Sequence, residues 1–539
     1  MLLTALLSTA GCPTDPPGDA PTPEPPLPPP EGWTYSDPVE CADPVSGIDR
    51  FSEEAVERGL TEVLSDPSVL GPGAEYGRGG SLVARDFDGD GDVDLLFGRL
   101  QAPPDIYEND GTGRFTLGEQ LLELRPGMII PAIGAVDLDG DRLPEVVLGG
   151  GRGFIRFDNL GDMQFASPRP LFPEALAGEY AYLTIAFGDH DRDGDLDVAL
   201  PSIGGAQDPG GGDGEPDPAP DFVLTRDGDD ATAVELLADG LGSTVQVGVF
   251  TDRDADGDLD LFLPSDSGPP SRFWTNDDGA WVDDAPALDA DLSMAAMGID
   301  AADLDGDGLL DYCMSDTGPP VCIESGAGTY VETGTARGLL PANPVGRHGT
   351  VGWGFDLADF DADGVLDAAQ ASGPFPDGQG PVDTDLPNLL WHGRADGRFD
   401  EVGADLGFDS TDNDLGLATA DFDGDGFLDI VVAGPLDTPQ LFMNRCSAGA
   451  WLEISMHGPA ENAEGHHARV EVVWGGGRRQ IRELHNLRGQ AEGPASLHFG
   501  LGDVDVVDSV VVHWMGGHVS RAERVPTRRR IAVTHPDAD

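Results

Sequence analysis

The 539-residue sequence contains no lysine. All 30 basic residues are arginine, set against 99 aspartates and glutamates, for a formal net charge of −69. Acidity on this scale repels phosphate backbones and anionic lipid, so nucleic acid is excluded as a partner. Cysteine is scarce, with five in the chain. No stretch offers the ~20 consecutive apolar residues of a membrane-spanning helix. Three local signatures of catalysis are also missing: G-x-S-x-G, H-E-x-x-H and a P-loop. These absences point away from an enzyme.

What is present is patterned. Strong acidity by itself fits disorder, but 39% of the residues are hydrophobic and the aspartates recur at intervals beside apolar runs. Cations are therefore expected to be part of the fold. At the start, MLLTALLSTAGC is a short apolar run ending in small residues before Cys12. It has the form of a bacterial lipoprotein signal over 1–12, with Cys12 lipidated. No Arg or Lys precedes the run and Thr9 stands where Leu is usual, so an ordinary signal peptide is the alternative. Residues 13–40, rich in proline and acid, read as a stiffened tether. The chain is expected to be exported, to the cell envelope or surface as a lipoprotein or otherwise secreted. The lipid anchor would be its only membrane contact.

One pattern, D-x-D-x-D-x-x-x-[DE], occurs seven times, starting at Asp86, Asp137, Asp189, Asp252, Asp303, Asp359 and Asp421. Successive starts are 51, 52, 63, 51, 56 and 62 residues apart, close to the ~40–50 residues of a four-stranded propeller blade. Each unit shows an apolar strand such as SLVA (81–84), the acidic loop, then a strand such as DLLFG (94–98). A segment with an Asn/Asp-Gly turn and flanking aromatics follows, as in RFWTNDDGAW (272–281), which is hairpin patterning. The fold class is thus all-β: a seven-bladed propeller over 41–446, with a small β domain over 447–539.

Alternate residues of a tight loop converge, so positions 1, 3, 5 and 9 can supply carboxylates and position 7 a backbone carbonyl to one calcium ion. The first site is then Asp86, Asp88, Asp90, Asp92 and Asp94. The second is Asp137, Asp139, Asp141, Leu143 and Glu145, with Glu keeping the charge at position 9. The third and fourth are Asp189, Asp191, Asp193, Asp195 and Asp197, and Asp252, Asp254, Asp256, Asp258 and Asp260. The fifth is Asp303, Asp305, Asp307, Leu309 and Asp311. The sixth is Asp359, Asp361, Asp363, Val365 and Asp367, and the seventh Asp421, Asp423, Asp425, Phe427 and Asp429. Up to seven Ca²⁺ are expected. An EF-hand would need Glu at position 12 and helical flanks. Position 12 here is Phe97, Leu148, Leu200, Leu263, Met314, Gln370 and Val432. A Kd near 10⁻⁴–10⁻³ M gives roughly 0.4–1.4 kcal/mol per site at millimolar calcium.

The last repeat stops after QLFMN (440–444), without its final strand. RFSEEAVERGL (50–60) parallels RFDEVGADLGF (398–408), so the N-terminal strand is expected to complete blade seven and close the ring. That closure brings Cys41 beside Cys446, and a disulfide between them is predicted, contributing roughly 5 kcal/mol or more by loop entropy. Cys313 and Cys322 flank one hairpin loop and form the second predicted bridge.

The acidic loops resemble those of FG-GAP/VCBS repeats, found also in integrin α-chains. Residues 446–535 resemble the ASPIC/UnbV domain through Asn462, Gly465, ARVEV (468–472), RQIRELHN (479–486), SLHFGLGD (496–503) and VDSVVVHWMGG (507–517). Together they imply a bacterial relative of the cartilage acidic protein family. His466 and His467 depart from the family pattern. The last domain is nearly balanced in charge and holds eight of the 11 histidines, with no metal-ligand spacing apart from that adjacent pair.

The functional expectation is a monomeric surface binding or adhesion scaffold for a protein or glycan. Its partner would meet the loops opposite the calcium, two of which, 204–220 and 373–388, are enlarged. The alternative is a polysaccharide hydrolase or lyase with a carboxylate pair in the central cleft.

Overall fold

In every repeat an apolar strand enters the acidic loop and a second strand leaves it, antiparallel to the first. Blade one runs Leu82–Arg85, loop, Asp94–Phe97, then Asp105–Asn109 and Phe115–Leu117. Its innermost strand is buried throughout, because neighbouring blades cover both faces. The computed structural model describes residues 25–42, 44–45, 51–64, 80–99, 102–118, 132–150, 153–173, 180–205, 219–228, 230–237, 242–266, 268–277, 279–341, 350–374, 386–435, 437–485 and 489–538. Among these, seven four-stranded antiparallel units of this kind succeed one another. The innermost strands of blades one, five and six each lie against that of the next blade, and blade seven lies against blade one. The fold is an all-β propeller.

The ring closes where the repeats run out. Ser52–Glu53 pairs antiparallel with Gln440–Met443, Ser52 opposite Met443, and supplies the missing outer strand of blade seven. Both predicted disulfides form: Cys41–Cys446, 405 residues apart in sequence, and Cys313–Cys322 within blade five.

The C-terminal domain is a sandwich of two four-stranded sheets. One contains Ala450–His457, Ser496–Gly502 and Arg529–Thr534; the other Arg469–Trp474, Arg478–Glu483, Val506–His513 and Val519–Pro526. Their inner faces share one core containing Trp474, Val510, Phe499 and Ile454. The edge strand of the first sheet comes from the other end of the chain. Trp33–Tyr35 pairs with Arg529–Thr534, and Trp33 is buried in the sandwich core. This corrects the tether expected over 13–40. From residue 25 onward the segment belongs to the C-terminal domain, because Trp33 gains a core and Ser36 N and Val39 N reach Arg530 O and Arg528 O at 2.9 Å. The signal over 1–12, Cys12 and residues 13–24 lie outside the described residues.

Candidate metal centre

All seven loops share one hydrogen-bond scheme, and it follows from where left-handed backbone is allowed. Positions 4 and 6 have positive φ in every loop, for example Gly89 at 83° and Gly91 at 97°. Those turns aim successive N–H groups inward. The position-6 N–H donates to the position-1 carboxylate in each case, from Gly91 to Asp86 at 2.9 Å through Gly364 to Asp359 at 2.7 Å to Gly426 to Asp421 at 2.9 Å. The position-7 N–H of Asp92, Leu143, Asp195, Asp258, Leu309, Val365 and Phe427 donates to Oδ1 of the position-5 aspartate at 2.8–3.1 Å. These bonds use some carboxylate lone pairs and fix the direction of the rest.

Position 9 ties the loop to its blade. Asp94 accepts from Phe87 N at 2.9 Å and Asn109 N at 2.8 Å, and Asp429 accepts from Phe422 N at 3.2 Å and Asn444 N at 2.7 Å. A second part of the site escaped the sequence reading. The asparagines at the ends of four third strands, Asn109, Asn159, Asn276 and Asn444, send Nδ2 to the position-2 carbonyl of the preceding blade: Phe422, Phe87, His190 and Phe360, at 2.8–2.9 Å. Each such amide links one acidic loop to the next. The signal was an Asn 14–16 residues after position 9.

Carboxylate oxygens of Asp86, Asp88 and Asp90 lie within 4.8 Å of one another, as do those of Asp137, Asp139 and Glu145, of Asp189, Asp191 and Asp197, and of Asp252, Asp254 and Asp256. These groups are positions 1, 3 and 5 in loops one and four and positions 1, 3 and 9 in loops two and three. In loop six the corresponding group is Asp361, Asp367 and His392, a histidine outside the motif. Burial pushes these carboxyls up: Asp94, Glu145 and Asp197 to about 8, Asp260 and Asp311 to about 7, with neighbouring carboxylates adding to the rise in each. In loop seven, Asp421 Oδ1 and Asp423 Oδ1 are buried with no hydrogen-bond donor among the described residues. An oxygen-rich set with orphaned buried acceptors fits a hard divalent cation.

Arginine reaches acidic loops as well. Arg253 reaches Asp254 at 2.8 Å and Asp260 at 3.3 Å within loop four, and Arg530 reaches Asp421 at 2.6 Å from the C-terminal domain.

The second contact belongs to a larger arrangement: the C-terminal domain sits on the acidic-loop end of the propeller. Glu483 accepts from Asp252 N at 3.0 Å. Arg469 and Arg479 donate to Gly308 O and Gly306 O in loop five at 2.8 and 2.6 Å, and Arg478 to Gly364 O in loop six at 2.9 Å. His498 meets Gly426 O at 3.0 Å and His467 meets Phe187 O at 2.8 Å, so these histidines are buried and partnered. Glu464 pairs with Arg85, meets His466 Nε2 at 3.1 Å and accepts from Asp137 N, and these contacts hold its carboxyl down at about 2 against burial. Ala491–Glu492 adds a parallel strand to the innermost strand of blade one, with Leu82 opposite Ala491. Glu492 also accepts from Ala135 N of blade two at 2.8 Å, and Gly489 packs closely on Met297 and Gly298 before blade five. The segment thus lies among the innermost strands, in the central channel.

Residues 86–148, 137–200, 252–314 and 381–432 match the FG-GAP-like repeat, residues 415–450 the FG-GAP repeat, and residues 458–539 the ASPIC and UnbV family. The chain is an FG-GAP-repeat protein with a C-terminal ASPIC/UnbV domain. No curated protein sequence matches it. Among solved structures, this FG-GAP-repeat protein is similar to an Agrocybe aegerita lectin that recognises non-reducing terminal N-acetylglucosamine, at 17% identity and a TM-score of 0.41, over 65% of this chain and 90% of that one. It is also similar to BBS1N in complex with ARL6DN, at 9% identity and a TM-score of 0.41, over 77% and 97%. Neither likeness bears on what this FG-GAP-repeat protein binds.

Proposed function

We propose that the protein is an exported, calcium-loaded propeller that acts as a surface binding or adhesion scaffold for a protein or glycan. The observation that carries this reading is the docking of the ASPIC/UnbV domain on the acidic-loop end, with residues 489–492 in the channel. Residues 489–492 lie against the innermost strands, where a hydrolase or lyase on this fold would need an open cleft, and this favours the scaffold reading. The far end of the ring is left for a partner. Second strands run away from the acidic loops, so the loops that follow them, such as Leu263 to Arg272, gather there. Most of the two enlarged loops, 206–218 and 375–385, lies outside the described residues.

Calcium is supported by the oxygen-rich loop geometry and by the orphaned acceptors of loop seven. Export is supported by the two disulfides, and no described helix is long and apolar enough to cross a membrane. Attachment through a lipid on Cys12 is part of the proposal. The test is to probe the full chain on a glycan array in calcium and in EDTA, alongside a reducing-sugar assay on bound polysaccharides. Calcium-dependent binding without new reducing ends is expected. Release of new ends, or of unsaturated products, would overturn the scaffold reading.

A further inference from the structure

The third strand of each blade carries a residue just before the N–H that donates to position 9. It is Glu108, Asp158, Thr225, Thr275, Glu324 and Met443 in six blades, and His392 in blade six. That difference changes the donor chemistry of one loop. His392 Nδ1 lies 3.0 Å from Asp367 Oδ1, and one ligand atom each from Asp361, Asp367 and His392 falls within 4.8 Å of the others. Around an ion bound at about 2.0–2.1 Å, neighbouring ligand atoms stand about 3–3.5 Å apart, so modest closure completes the set.

Two further features point to an ion. Asp361 is 8% exposed and accepts one side-chain hydrogen bond, from Asp363 N to Oδ1 at 3.2 Å, which leaves Oδ2 without a donor among the described residues. Asp367 is fully buried, its carboxylate held by Phe360 N at 2.9 Å and Gly393 N at 2.7 Å. The His392 side chain is 34% exposed, so an ion can enter past the imidazole.

Calcium takes oxygen ligands, while imidazole with carboxylate suits zinc, iron, nickel or copper. We propose that loop six is a transition-metal site in which Asp361, Asp367 and His392 hold a zinc-class divalent ion, alongside calcium in the all-carboxylate loops. The proposal rests on reading the acidic loops as metal sites and deepens it by dividing them into two chemical classes.

The experiment strips the full chain with EDTA, restores millimolar calcium and titrates zinc(II) by calorimetry. Cobalt(II) is followed in parallel by its visible absorption. The expected result is one zinc equivalent taken up in the presence of calcium, weakened at least about tenfold in His392→Gln, and a cobalt spectrum that the same substitution removes. No zinc uptake by the wild type would overturn the proposal and leave His392 as an ion-pair partner of Asp367. Equal uptake by wild type and variant would also overturn it, placing the zinc elsewhere, for example at His518 and His535, whose rings are 4.8 Å apart. Zinc-edge X-ray absorption on the wild type reads the donor type without any variant, and an all-oxygen shell would equally refute it. The two readings fail separately: calcium dependence of stability tests the loops as a set, and His392-dependent zinc tests loop six.

Discussion

The side-chain amide of Asn109 donates to the backbone carbonyl of Phe422 at 2.9 Å, joining the first acidic loop to the seventh across 313 residues of sequence. The same amide donates to Val93 O at 3.1 Å, while its oxygen accepts from Gly111 N at 3.2 Å and Gly113 N at 3.1 Å. At 2% exposure no water replaces these partners easily. Asn109→Ala is therefore expected to cost about 3 kcal/mol, the range for stranding more than one buried polar group. Thr112→Ala, on the exposed tip of the same hairpin, should stay within about 0.5 kcal/mol. Denaturant unfolding in calcium measures both.

Two loop glycines separate strain from crowding. Gly91 has φ 97° and nothing within 4 Å of an added Cβ, so Gly91→Ala carries only the left-handed penalty of about 1–2 kcal/mol. Gly426 has φ 93°, and an added Cβ would lie 2.1 Å from the Trp451 indole of the C-terminal domain. Gly426→Ala should therefore cost clearly more than Gly91→Ala in thermal unfolding, because it also pushes the two domains apart. Ala362, at the equivalent of Gly89 with φ 54°, gives the converse. Ala362→Gly should be neutral or stabilising.

Stability away from the loops should depend on pH through two buried aspartates. Asp221 is pushed up to about 7 by burial, against hydrogen bonds from Ser202 N and Ser243 Oγ. Asp414 is pushed up to about 7 by burial, against a bond from Asn388 Nδ2. Their folded pKa values lie above the unfolded one, so the folded state binds more protons between about pH 4 and 7. Stability then falls as pH rises through that window, by up to about 1.4 kcal/mol per pH unit for each group. Asp221→Asn with Asp414→Asn keeps an acceptor oxygen at each site and cannot ionise. In saturating calcium, the stability difference between double variant and wild type should grow in the variant's favour from pH 4 to 7 and then level off. A flat difference would mean that both carboxyls titrate normally.

How much of this was legible depends on whether the cause was local. The loops were, because Asp at alternate positions and Gly at left-handed positions are short-range requirements of one turn. The closing strand was legible through its likeness to segments elsewhere in the chain, and Cys41–Cys446 followed from that closure. His392 was not, since it reaches Asp367 from across a hairpin, 25 residues on. Nor was the docking of the ASPIC/UnbV domain. Its arginines bind loop carbonyls such as Gly306 O and Gly308 O, which carry no side-chain signature. Trp33 looked like the end of a proline-rich tether because its core lies nearly five hundred residues away in sequence.

Calcium removal should act on both domains together. The six calcium loops at roughly 0.4–1.4 kcal/mol each give about 2–8 kcal/mol if additive. For a chain of this length, 1 kcal/mol corresponds to about 1 °C in Tm, so losing calcium should lower the midpoint by about 2–8 °C. Because Arg469, Arg478 and Arg479 grip the backbone of loops five and six, loosening those loops also weakens the seat of the C-terminal domain. The single transition expected in calcium should then broaden or split in EDTA as the sandwich, with its own core around Trp474 and Phe499, unfolds apart from the ring. Differential scanning calorimetry across a calcium titration reads both effects. A midpoint indifferent to calcium would remove the metal from the fold, and a lowered but still single transition would show that the domains stay coupled through contacts outside the loops, such as the strand at Ala491–Glu492.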